Sequence, residues 1–363
     1  MVKKRSLQII AGIVLCYLLY FIVVLAHGTF TDYQPEPVIG LEADQSSSVT
    51  VIEDSVISFT IWNVGYGGLG AESDFFYHSG NMYLAAGQMV RTPKAYLEKN
   101  IQVSVDFVKN TRSDFFLFQE IDIKSKRNYF INHYEAVGQA LPDFSACFAT
   151  NYKSQRVPIP LLQPWKAYGE TLSGLGSYSR FQPYEAIRSQ FPGEFSWPVR
   201  IFQLDRCLLL QRFPTYKNKE LVVLNIHHSA YDSDGALKMQ QMSFLKDMVL
   251  EEYEKGNYVI VGGDWNLCPP YFAFDSFRPG DTQGFTQINI APDYLPEDWR
   301  WVYDPTGPTN RKTTKPYKKD QSFVTIIDFF LISPNVRVRN VRSIQQDFQF
   351  SDHQPVWMEV ELL

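Results

Sequence analysis

Apolar residues are distributed along the chain in two different ways. From Leu7 to Ala26 they run without a charge, "LQIIAGIVLCYLLYFIVVLA", which at helical rise reaches about 30 Å, the depth of a bilayer's hydrocarbon. From Val56 onward they come in short bursts separated by polar turns. "VISFTIWNV", "DFFLFQE", "LSGLGSYSR", "RIFQLDRCLLLQR", "ELVVLNIHH" and "YVIVGGDWN" predict strands, and "FVTIIDFFLIS", "VRVRNVRSI" and "HQPVWMEVEL" predict closing strands. Helical spacing marks "KAYLEKNIQVSVDFVKN", "KSKRNYFINHYEAVGQAL" and a stretch from Ala236 to Glu254 whose apolar side carries Leu237, Met242, Leu245, Met248 and Val249. Several long strands follow one another with no helix between them, which argues against one parallel, doubly wound sheet. Two mainly antiparallel or mixed sheets packed face to face, with helices outside, accommodate the order.

This pattern predicts four segments: a basic cytoplasmic start at 1–6, a transmembrane signal anchor at 7–26, an acidic flexible tether at 27–55, and a folded body at 56–363. Lys3, Lys4 and Arg5 precede the apolar run and no Lys or Arg follows until Arg91, so the positive-inside rule keeps the start cytoplasmic and sends the body outside. Cleavage as a signal peptide, with secretion, is the alternative; Val24 and Ala26 make a weak cleavage pair, and the run is longer than a usual signal core. Charge then narrows the partners. The formal net charge is −5; it is −8 beyond the three leading basic residues. The stretch from 28 to 55 holds six acids and no Lys or Arg, so the body carries only −2. A body this close to neutral lacks the broad basic field of a dedicated duplex-DNA binder. Outside the apolar run only Cys147, Cys207 and Cys268 remain, which make neither a disulfide framework nor a zinc site.

The chemistry lies where strands end. "FTIWN" finishes on Asn63, "FFLFQE" on Glu120, "VVLNIHH" on Asn225 and His227, and "VIVGGDWN" on Asp264 and Asn266; Asp328 sits within "TIIDFFLIS", and Asp352 and His353 within "FSDHQPV". In an extended chain Asp264 and Asn266 share a face and point together into a cleft. Each residue alone has an ordinary reading as a cap or turn former. Their recurrence at one strand end after another is what makes that reading improbable.

The ordered set "WN", "QE", "NIH", "GGDWN", "IIDFFLIS" and "SDHQPV" resembles the endonuclease/exonuclease/phosphatase superfamily, with its deoxyribonuclease-I-like fold, over about Val56 to Leu363. The resemblance implies a four-layered α/β sandwich with two central mixed sheets, a divalent metal, Mg²⁺ or Mn²⁺, and hydrolysis of a phosphate ester. It implies Glu120 as the principal metal ligand with Asn63 and Asp352 beside it. Asp264 then orients or deprotonates the attacking water, Asn266 donates to phosphoryl oxygens, and His227 contacts phosphate and assists the leaving group. His353 is oriented and charged by Asp328, and the choice of Asp264 or His353 as base stays open. His228 competes with His227, and the spacing from Asn225 favours His227.

Substrate choice rests on other segments. "NRKTTKPYKK" (310–319) concentrates five basic residues, with Arg311 the first candidate for a phosphate or anionic headgroup and Asn225 a further binding residue; the bland alternative is a solvated loop. Tyr66 and the glycines of "GYGGLG" are candidates for the cleft rim, and Trp265, Trp299 and Trp301 for stacking or core packing. The expected activity is a metal-dependent phosphodiesterase or phosphatase acting outside the cytoplasmic membrane on a small molecule, lipid headgroup or nucleic acid. The alternatives are an extracytoplasmic nuclease and a catalytically silent scaffold.

Overall fold

The computed structural model describes residues 2–230, 235–273, 277 and 287–363. Its centre is a pair of sheets. The larger runs, in spatial order, β1 (Val38–Gly40), β6 (Glu185–Gln190), β7 (Cys207–Pro214), β8 (Glu220–His227), β9 (Tyr258–Asp264), β13 (Asp328–Ile332) and β10 (Arg300–Val302). The smaller runs β14 (Val336–Ser343), β15 (Val356–Leu362), β2 (Val56–Asn63), β3 (Phe115–Ser125), β5 (Gly169–Ser179) and β4 (Ser145–Val157). A short ribbon, β11 (Asn310–Arg311) with β12 (Val324–Thr325), stands apart. Both sheets are mixed: β2 with β3 and β8 with β9 are parallel, and the other pairs are antiparallel.

Strand alternation explains the layering. Ile57, Phe59, Ile61, Phe115 and Leu117 meet Leu221, Val223, Ile260, Phe330 and Ile332 between the sheets. The residues one step along face outward instead. Val222, Leu224, Val259 and Val261 pack under Met242, Leu245 and Val249 of α4 (Ala236–Glu254). Trp62, Phe116 and Phe118 pack under Val105 and Val108 of α2 (Lys94–Asn110) and Val137 of α3 (His133–Ala140). The result is the four-layered sandwich of two mixed sheets flanked by helices that the element order predicts, preceded by the apolar helix α1 (Val2–Phe30).

Two glycines allow close approach above the core, Gly262 between the sheets and Gly263 between β9 and its neighbour β8. A Cβ on Gly262 would lie 2.8 Å from Ile61 of the facing sheet, and one on Gly263, at φ +148°, would lie 2.1 Å from the Ile226 carbonyl oxygen. The pair therefore serves close approach, not a turn, and β9 continues through both to Asp264.

Four local expectations change. The helix expected over 124–141 is helical only from His133 to Ala140, because Tyr129 and Phe130 adopt positive φ and Asn132 caps the new start through Glu135 N–H at 3.0 Å. The strand expected over 200–212 begins at Cys207, after a 3₁₀ turn at Arg200–Phe202. "FVTIIDFFLIS" divides between the ribbon and the large sheet. The 27–55 segment is not a free tether. Val38–Gly40 pairs with β6, Asp44 and Gln45 bond to Ala146 across the other sheet, and Ile52 is buried and bonded to Pro214. Part of the long 269–321 stretch lies outside the described residues.

Candidate active site

Parallel pairing sets the site. β2 ends beside β3 with Asn63 opposite Gln119, and β8 and β9 end with His227 opposite Asp264. On the far side of β9, antiparallel β13 places Asp328 opposite Asp264. Asp264 thus stands between a histidine and a carboxylate in register. A bulge in β3 between Phe118 and Ile121 carries Glu120 at φ +52°, a conformation costing a non-glycine residue about 1–2 kcal/mol. Unlike its neighbours in β3, the carboxylate is partly exposed, at the wall of a cavity of about 1040 Å³.

Inside that cavity the two sheets touch through polar atoms. Asn63 Nδ2 donates to Asp264 Oδ2 at 3.0 Å and approaches Glu120 Oε1 at 3.4 Å, while its Oδ1 accepts from Gly65 N–H. His227 Nε2 lies 3.4 Å from Asp264 Oδ2 and 4.0 Å from Glu120 Oε1. His353 Nδ1 bonds Asp328 at 2.8 Å, and its Nε2 is 3.8 Å from Asp264 and 3.0 Å from the Asn310 carboxamide. Asp352 is buried, its neighbour Ser351 donating to the Asn63 carbonyl.

Burial and mutual repulsion set the protonation of these groups. Burial raises Asp264 to about 6 against the opposing pull of His353. Burial also raises Asp352 to about 6, and Glu120 adds to the rise while His353 and Arg311 oppose it. For His353 burial favours the neutral ring, but Asp328, Asp264 and Asp352 together push it up to about 10. His227 goes the other way: burial, then Arg206, holds it well below the ordinary imidazole range.

Glu120 and Asp352 line the cavity without an Arg or Lys ion pair among the described residues. With the Asn63 carboxamide beside them they offer hard oxygen donors and unbalanced negative charge, the chemistry that suits a divalent cation such as Mg²⁺. Asp264, Asp328 and His353 also cluster within ligand distance of one another, but the short Asp328–His353 bond already uses two of those groups.

Other expected residues sit differently. Asn266 does not share an extended face with Asp264. It is left-handed at φ +49°, its N–H caps Asp264 Oδ1 at 2.9 Å, and its amide donates to the His228 carbonyl at the cavity wall. Asn225 is buried between the sheets, where it accepts from Gln119 at 2.7 Å and donates to Phe118 and Gly176 carbonyls; its amide is spent on the interior. Arg311 is buried with its guanidinium on the carbonyls of Leu69, Gly70, Ser73, Lys312 and Lys315, so it anchors loops at the cavity wall. His228 packs between Phe191 and Trp265, away from the carboxylates. Trp265 stacks on Phe329 in the core, with Trp299 and Trp301 packed in the same cluster. Tyr66 lies over Arg127.

Three residues at the cavity escape the sequence reading. Asn310 heads the basic stretch but carries no charge to flag it. Arg127, buried by a bidentate pair with Asp122 and by Tyr66 and Tyr168, hides in what reads as a helix. Arg206 precedes β7 and donates to the His227 carbonyl. No pattern in the sequence brings these three together.

Fold and site together define a four-layered α/β sandwich with carboxylates and histidines gathered in one cavity at its strand ends. Residues 61–353 match the Endonuclease/Exonuclease/phosphatase family, and the chain belongs to that family. Among solved structures it is similar to an endonuclease/exonuclease/phosphatase from Beutenbergia cavernae, at 15% identity over 85% of this chain and 72% of that one, with a TM-score of 0.55. It is also similar to ANGEL2, a 2',3'-cyclic phosphatase, in complex with adenosine-2',3'-vanadate (12% identity, 88% and 99% covered, TM-score 0.52). TDP2 from Caenorhabditis elegans is a third (13%, 84% and 75%, TM-score 0.50). These likenesses concern the fold. Among curated proteins none matches.

Proposed function

We propose that the protein is a divalent-metal-dependent phosphoesterase, held by α1 in a membrane with its body on the extracytoplasmic side. The observation that carries the catalytic reading is the convergence of Glu120, His227, Asp264, Asp352 and His353 on one cavity, with Asn63 bonded to Asp264 and beside Glu120. The support for anchoring is the apolar helix itself. Among the described residues one helix, Lys4–Phe30, is long and apolar enough to cross a membrane, and most of its large apolar side chains from Leu7 to Val23 stand exposed.

Glu120 and Asp352, with Asn63, would hold Mg²⁺ or Mn²⁺, which when bound polarises the phosphoryl group and offsets its charge. Asp264, kept in place by Asn63 and by the Asn266 N–H, accepts a proton from water as the water oxygen bonds to phosphorus. The ester P–O bond breaks with its electron pair on the leaving oxygen. His353, held as a cation by Asp328, faces the carboxylate that receives the proton and steadies its charge, which leaves Asp264 as the base. Neutral His227 and the Asn266 amide line the phosphate position, and the leaving oxygen takes its proton from solvent.

The test offers the full chain, with Mg²⁺ or Mn²⁺, a chromogenic phosphodiester, a chromogenic phosphomonoester, plasmid DNA and a phospholipid in parallel. Cleavage of one class, abolished by chelator and by Asp264→Asn with folding intact, is expected. Undiminished turnover by Asp264→Asn would overturn the assignment.

A further inference from the structure

The cavity that holds the polar cluster does not open among polar residues alone. The same continuous space is lined by Glu120, Asp264 and Asp352 and by Phe21, Val24 and Leu25 of α1. At about 1040 Å³ it lies at the upper end of ligand pockets and exceeds what a phosphate group needs. Met82, Leu161 and Val199 continue the apolar wall beside α1.

Two loops form this rim and are bonded to each other: Leu161 N–H to the Met82 carbonyl at 2.9 Å and Leu162 N–H to the Tyr83 carbonyl at 3.0 Å. They sit against α1, where Tyr17 Oη donates to the Leu162 carbonyl at 3.3 Å, and nearby Trp197 Nε1 donates to Thr29 Oγ1 at 3.1 Å. Body contacts therefore cover about 18 Å of the helix axis, at 1.5 Å per residue, a length that belongs to the apolar stretch and not only to its exit. The outer surface of the rim suits the same level. Tyr83, Leu84, Leu162, Trp197 and Trp165, the last 68% exposed, point away from the core. An exposed apolar patch continuous with a membrane-spanning segment and edged by tryptophan is the pattern of a surface seated in the bilayer interface. Arg91, Arg156 and Lys166 lie on these same loops and on β4, which leads into one of them, and Lys126, just after β3, donates to the Ala167 carbonyl beside them. Among the described residues none of them is ion-paired to a carboxylate, so they are available to lipid headgroups.

We propose that the cavity opens onto the bilayer and takes a membrane-resident lipid phosphoester, its phosphate at the Glu120–Asp264 end and its acyl chains against α1 and the Met82 and Leu161 loops. This rests on the phosphoesterase and anchor readings above and names their substrate class. Hydrolysis needs only water as co-reactant: the water oxygen bonds to phosphorus, the ester P–O bond breaks, and the lipid or headgroup alcohol leaves with a proton. The rim makes lipid access local, since an ester in the same leaflet enters the cavity laterally without leaving the membrane.

The experiment uses the full chain in phosphatidylcholine vesicles with Mg²⁺. Phosphatidic acid and phosphatidylglycerol supplied in the vesicle are compared with glycerol phosphate and glycerophosphoglycerol in solution, and with a soluble chromogenic phosphodiester. A kcat/KM about 100-fold higher for a lipid than for its soluble counterpart is expected, reflecting the buried chain. The double variant Leu162→Ser, Trp165→Ser, at positions outside the cavity, loses about tenfold or more on vesicles and keeps its rate on the chromogenic ester. Independently, brominated lipid quenches a component of tryptophan emission that is missing in Trp165→Phe. Equal rates on lipid and soluble esters, an unaffected double variant, or unquenched Trp165 would each overturn the inference. Cleavage of the chromogenic ester without any lipid cleavage defeats the lipid assignment alone; no cleavage of any ester defeats the hydrolase reading, and the inference with it.

Discussion

The Asn63 carboxamide reaches across from one sheet to donate to Asp264 of the other at 3.0 Å. Because Asn266 N–H holds the other oxygen at 2.9 Å, the two bonds together fix the orientation of the carboxylate. Removing the Asn63 bond leaves a buried carboxylate short of a donor and free to rotate. Asn63→Ala is therefore expected to lower kcat on a chromogenic phosphoester by about 100-fold or more, with its circular dichroism spectrum unchanged. A kcat within about twofold of the parent would show that Asp264 needs no such support.

Arg311 is expected to behave as a structural residue. Its guanidinium holds the carbonyls of Leu69, Gly70 and Ser73, so Arg311→Met leaves buried acceptors unpaired at about 1–3 kcal/mol for the group as a whole. The expected result is a lower Tm and faster proteolysis near 69–73. A change confined to KM, with Tm unaltered, would return Arg311 to the substrate.

The glycines of β9 should tolerate nothing larger. Gly262→Ala pushes a methyl toward Ile61 and Phe330 at 2.8 Å, an overpacking worth about 1–3 kcal/mol. Gly263→Ala meets backbone and an unfavourable φ together, and is expected to cost more than Gly262→Ala. Urea unfolding of both variants measures the order, and the reverse order would contradict the packing.

Acid stability should depend on Glu252. The residue is buried, yet bidentate bonds from Arg212 at 2.7 and 2.8 Å, with Lys255 and Asn257, outweigh that burial and lower its carboxyl from 4.5 to about 2. A depressed carboxyl stabilises the fold above its unfolded pKa and loses that contribution as pH falls from about 4.5 toward 2. Glu252→Gln is thus expected to unfold more easily at neutral pH, by about 2 kcal/mol, and to converge on the parent in acid. A constant difference across that window in pH-dependent thermal melts would rule out the ionised pair as its source.

Much of the fold is legible because alternation is a local property. Ile57, Phe59 and Ile61 announce one face of β2 and Trp62 the other, and the same reading extends to β3, β8, β9 and β13. The short edge strand β1 and the polar β4 are invisible to it, since their stability comes from partners far along the chain. The helix start at Asn132 is obscured because Arg127, an apparently exposed helical residue, is drawn inward by Asp122. At the site, residues that end strands are found by position, whereas Asn225 and Arg311 show the limit of residue type. An amide or guanidinium at a cleft has many interior carbonyls to satisfy, and only coordinates show which it meets.

The strap from Val38 to Ile52 has a further meaning for where reaction can occur. Because β1 is already a member of the large sheet, only the few residues between Phe30 and Val38 separate α1 from the body, and even fully extended they reach no more than about 28 Å. With α1 embedded as proposed, the body cannot diffuse into bulk solvent to meet its substrate. Its encounters are confined to a plane, and turnover should then scale with the number of substrate molecules per unit of membrane area and not with their number per unit of volume.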